Sequence, residues 1–109
     1  MENITVERRQ FKRYAYKPDC CPILECKTIR YKVLNISEGG LKIDVQGIPA
    51  HLSDSTSGIT GYLCLSSGKR VPVSGELVWI IGDEVGIKLK KPISKKTIDS
   101  EIEYFQDEI

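Results

Sequence analysis

Two short stretches hold the side chains with chemistry to offer: Glu7-Arg8-Arg9-Gln10-Phe11-Lys12-Arg13 and Asn35-Ile36-Ser37-Glu38-Gly39-Gly40. Arginine is planar, permanently charged and carries a rigid fork of donors. That fork fits a pair of phosphate oxygens or the O6/N7 edge of guanine, and its plane can stack on a base. Arg9 and Arg13 stand four residues apart with Arg8 beside them, so one arm could make several such contacts to one ligand. The second stretch is complementary. Asn35 has an acceptor and two donors that can meet a base edge, and the Ser37 hydroxyl can bond a phosphate or ribose oxygen. Gly39 and Gly40 permit positive φ and close backbone approach, so that amide N–H groups can face an anion. The same residue types also build an ordinary β-turn through local side-chain-to-backbone bonds.

The elements that must position these groups read mainly as β. From Cys21 onward the apolar period is two: Ile23 to Cys26, then Ile29 to Leu34, with a tight connection at Lys27-Thr28 that no Gly or Asn marks. Asn35 to Gly40 is a turn, and Leu41, Ile43 and Val45 make a third strand that ends at Gly47. Gly47 to Ile59 is the longest loop and contains His51. Tyr62 to Leu65, Arg70 to Ile81 and Val85 to Leu89 supply three more strands. Gly75 reads as a bulge or bend, and Trp79 as a core anchor. Ser94 is a plausible N-cap, and Ile98, Ile102 and Phe105 form one stripe of an amphipathic C-terminal helix. The expectation is a mainly β fold: a six-stranded antiparallel β-barrel with a basic N-terminal arm and a C-terminal α-helix. The flexible arm is assigned to residues 1–17 and the barrel with its helix to residues 18–109, one domain in all.

Composition removes several function classes. A chain of 109 residues with 40% hydrophobic content can bury a core without disulfides or metals. Its net charge of +1, with no basic stripe across the strands, argues against nucleic acid. Arg8, Arg9, Lys12, Arg13 and Lys17 crowd one end, and Asp99, Glu101, Glu103, Asp107 and Glu108 the other. No apolar run nears the ~20 residues of a membrane helix. The N-terminus lacks a secretory pattern, so the expected compartment is the cytoplasm, with Cys20, Cys21, Cys26 and Cys64 as reduced thiols. Adjacent Cys20-Cys21 has no metal-ligand spacing, and no metal or cofactor is expected. With one His, in a loop, and no Ser/His/Asp or Cys/His arrangement, an enzyme is not expected either.

Arg9-x-x-x-Arg13 followed by Asn35-x-Ser37-x-x-Gly40 resembles the paired signature of PilZ domains, RxxxR and [D/N]xSxxG. Gly75-Glu76-Leu77-Val78-Trp79 and Val85-Gly86-Ile87-Lys88-Leu89 resemble the family's later strands, and the closing helix has its counterpart there. Asn35 stands where Asp is often found, and Lys12 lies between the arginines. The resemblance implies a six-stranded barrel that binds the bacterial second messenger cyclic di-GMP. By it, Arg9 and Arg13 clamp guanine and phosphate, Arg8 adds a cationic contact, and Asn35 and Ser37 meet a guanine edge or phosphate. Gly40 keeps the turn open for the ligand, with Gly39 beside it in the implied site. The implied behaviour is a receptor or adaptor whose arm orders over the ligand and then contacts a downstream protein. The alternative is a protein-interaction module of the same fold that binds no nucleotide.

Overall fold

The computed structural model describes residues 11–45 and 58–109. Eight strands are found among them: β1 (Tyr14–Tyr16), β2 (Ile23–Cys26), β3 (Ile29–Ile36), β4 (Gly40–Asp44), β5 (Ile59–Cys64), β6 (Arg70–Ile81), β7 (Glu84–Leu89) and β8 (Phe105–Glu108). One short helix, α1 (Lys95–Asp99), and a 3₁₀ turn (Ile102–Tyr104) lie between β7 and β8. Six of the strands run β2-β5-β6-β7-β4-β3, and a β2–β3 pairing closes the ring. All pairings are antiparallel. The expected six-stranded barrel is therefore present, with β1 and β8 added outside β3.

Alternation fills the interior. Leu24, Val33, Ile36, Ile43, Leu63 and Val85 turn inward and are buried. Each contributes about 1.5–3 kcal/mol by leaving water. The β2–β3 hairpin turns at Lys27-Thr28 as its spacing implies, with Lys27 at φ 59°. A non-glycine residue tolerates that conformation because both flanking strands are paired into the barrel.

Several expectations change. Tyr14–Tyr16, assigned to the arm, form β1, held between β3 and β8. Tyr14 stacks on Phe105 with centroids 4.7 Å apart, and Tyr16 meets the same ring edge-on at 5.0 Å. Gly75 is not a bulge. A Cβ there would lie 2.5 Å from the Lys88 carbonyl oxygen, so close strand approach is what requires glycine. The β6 bulge lies between Leu77 and Trp79.

The C-terminal helix is a single turn. The Ser94 hydroxyl accepts from the Thr97 N–H at 3.1 Å, as an N-cap should. The helix ends at Asp99, Ile102 is exposed, and Phe105 belongs to β8. Two interactions outcompete helical continuation, which gains little for so short a segment. Phe105 packs on two tyrosines of β1, and Glu101 is pulled into the interior.

Glu101 is 0% exposed. Its Oε1 accepts from the Tyr16 hydroxyl at 2.6 Å and the Ser66 N–H at 3.0 Å, and its Oε2 from the Ser67 N–H at 2.8 Å. One carboxyl group thus joins β1, the β5–β6 turn and the C-terminal segment. Burial first, and then the bond to Glu101, push the Tyr16 phenol well above its ordinary pKa, so it stays a donor. The Ser66 hydroxyl donates to the Cys20 carbonyl and fixes the chain between β1 and β2.

Candidate functional site

The outer surface of β3, β4, β7 and β6 carries an open cleft of about 880 Å³, within the size range of small-ligand sites. Its shape follows from two bulges. In β3 the register shifts between Val33 and Asn35, so Val33 and Ile36 both face inward while Asn35 lines the cleft. In β6 the shift between Leu77 and Trp79 does the same for the indole. Leu77 and Ile80 pack on the core, while Trp79 stands outside and lines the cleft. The expected core anchor is therefore a surface platform. Plain period-two alternation would have buried it, and the extra residue of the bulge reverses its face.

Cross-strand register then aligns one row. Asn35 pairs with Lys42, Lys42 with Gly86, and Gly86 with Trp79. The indole lies over Gly86 so closely that a Cβ there would sit 2.3 Å from its Cε2 and Nε1. Glycine leaves the space that the ring occupies.

The turn after β3 forms the next part of the wall. The Ser37 N–H donates to the Gly40 carbonyl at 2.9 Å. The Ser37 hydroxyl donates to the same carbonyl at 3.4 Å and accepts from the Gly39 N–H at 3.2 Å. Ser37 is buried, and its hydroxyl holds the turn closed while lining the cleft. Gly39 and Gly40 do not take positive φ, contrary to one expected reason for glycine there. Their role is steric. A Cβ on Gly40 would lie 2.7 Å from the Ile87 carbonyl oxygen, and one on Gly39 would lie 2.8 Å from the Phe11 ring. Phe11 rests on Gly39 and brings the arm across the turn.

Arg13 lines the same cleft as Asn35, Ser37, Gly39 and Gly40. Five of the seven expected site residues are thus brought together; Arg8 and Arg9 lie outside the described residues, as does His51. Sequence reasoning missed Trp79, Lys42, Glu84 and Gly86 as cleft residues. The available signal was Gly86 in Val85-Gly86-Ile87, a glycine at an outward position of a regular strand, which marks a close approach.

The chain matches the PilZ domain family over residues 7–106, nearly its whole length. It belongs to the PilZ domain family. PilZ domains are, as a family, cyclic di-GMP receptors and typically act by binding rather than by catalysis. The closed barrel with its two added strands agrees with that fold. Comparison with curated proteins and with solved structures gives no match. Among the described residues of this PilZ domain, no helix is long and apolar enough to cross a membrane.

Proposed function

We propose that this PilZ domain is a receptor and adaptor that binds cyclic di-GMP in the cleft and signals through protein contact. The observation that carries the reading is the convergence of Arg13, Asn35, Ser37, Gly39 and Gly40 on one cleft whose far wall is Trp79. Arg13 would present its fork to a phosphate or to guanine O6/N7, joined by Arg8 and Arg9 from the arm. Asn35 would meet a base edge, and the Trp79 face offers a stacking surface for a guanine. Ser37 and the two glycines would act by holding the wall in shape. Titration calorimetry on the wild type should give binding heat with cyclic di-GMP, and Arg13→Ala should weaken binding about tenfold, the lower end of the range for one lost bidentate contact. Absence of heat in the wild type would overturn the reading.

Binding would also order the arm. Because β1 is already paired on both sides and the Arg13 carbonyl is held by the Ile109 N–H, the ordering is confined to residues before Arg13, fewer than the arm of residues 1–17 first assigned. Hydrogen exchange should therefore slow on ligand addition in residues 7–12 and change little in Tyr14–Tyr16. Unchanged exchange across residues 7–12 at saturation would exclude ordering.

A module that contacts protein without nucleotide draws support from Val78 and Ile81, 52% and 70% exposed at the rim of the cleft. The same calorimetry separates the two readings.

A further inference from the structure

Lys42 occupies the centre of the cleft, between Asn35 on β3 and Gly86 on β7. Its ammonium is 3.0 Å from Glu84 Oε1, a diagonal neighbour across the β4–β7 pair. The two side chains are 30% and 45% exposed, so water reaches the pair. The cleft is also lined by Arg13 and Lys88, and Glu84 is the one carboxylate side chain among its described lining residues. A cationic cleft that suits an anion thus contains a single acidic side chain among its described lining residues, and that side chain is bonded to the central cation.

We infer that Glu84 is an internal stand-in for a ligand phosphate: it keeps Lys42 aligned across the cleft, and an incoming phosphate must displace it. This rests on the reading of the cleft as a cyclic di-GMP site and adds Lys42 and Glu84 to it as affinity-setting residues. Three observations support the exchange. Lys42 stands one register position from Asn35 and one from Gly86, beneath the space between the amide and the indole. A half-exposed ion pair is held weakly and is readily given up. A phosphate that approached Lys42 with Glu84 still in place would bring like charges together, which disfavours binding. Glu84 therefore lowers affinity for any phosphate-bearing occupant and makes the site responsive over a higher concentration range than its cations alone would set.

The test is a double-mutant cycle read by titration calorimetry with cyclic di-GMP. Glu84→Gln should tighten binding by about two- to fivefold, the scale of one solvated charge contact. A gain cannot arise from damage to the fold. Lys42→Met should weaken binding, and in that background Glu84→Gln should recover much less than it does in the wild type. Unchanged or weaker binding by Glu84→Gln overturns the inference, and so does an equal gain with and without Lys42. If the wild type gives no heat with cyclic di-GMP, the receptor reading fails separately. The pair is then probed with inorganic pyrophosphate by NMR titration, where Glu84→Gln must still tighten binding at the Lys42 row or the inference falls.

Discussion

Glu101→Ala is expected to lower the folding free energy by about 3–5 kcal/mol, as when one partner of a buried polar network is removed. The substitution removes the common acceptor of the Tyr16 hydroxyl and the Ser66 and Ser67 N–H groups. Tyr16 is itself buried, so its hydroxyl would have no water to turn to. It also leaves a void where a fully enclosed side chain stood. Glu101→Gln is expected to fall between alanine and wild type. The amide keeps the volume but sets an NH₂ where one of the two oxygens had accepted. Tyr16→Phe should cost only about 1 kcal/mol, because the two backbone donors keep their acceptor. Urea denaturation followed by circular dichroism would measure the series. A loss below 1 kcal/mol for Glu101→Ala would show that the carboxyl group is not what joins these three segments.

Gly86→Val is expected to weaken cyclic di-GMP binding about a hundredfold with little loss of stability. Even a single Cβ at this position would lie 2.3 Å from the indole. The obstructing atoms belong to a side chain on the barrel exterior rather than to backbone, so the ring can swing aside and the strands can stay paired. Its stacking face would then leave the cleft, and valine methyls would fill part of the floor. Loss of one base–aromatic stack accounts for about 1–3 kcal/mol. Calorimetry on Gly86→Val and Trp79→Ala should give similar losses. Wild-type affinity in either variant would show that the indole plays no part in binding. Trp79 fluorescence, red-shifted in Gly86→Val, would report the movement independently.

The barrel was legible in the sequence because period-two alternation and short turns recur from Cys21 to Leu89. The motif residues were legible as types and spacing, and Arg13, Asn35, Ser37, Gly39 and Gly40 do share a cleft. What escaped were features that local pattern does not encode. Nothing in Leu77-Val78-Trp79 marks a bulge, since no glycine stands there, yet one extra residue sends the indole outward. The glycine that was visible, Gly75, owes its identity to the backbone of β7 lying against it. Ile98, Ile102 and Phe105 do fall at helical spacing, but distant partners near the other end of the chain, Tyr14 and Tyr16, decide the outcome through Phe105 and Glu101. Lys42 and Glu84 lie far apart in the sequence, on separate strands. Only the β4–β7 register reveals them as one pair inside the cleft.

The placement of β1 has one more consequence. The Ile109 N–H donates to the Arg13 carbonyl at 2.8 Å, and Tyr14 is paired with Ile36 on one side and Glu108 on the other. Arg13 therefore works like a crane on a bolted base: only its side-chain torsions swing, and its reach is a bounded shell over the cleft. Fixing a residue's backbone costs about 1–2 kcal/mol, and here that cost falls on folding rather than on capture of the ligand. A guanidinium mounted in this way measures distance as well as charge, and it favours anions of one span over those that merely carry the right sign.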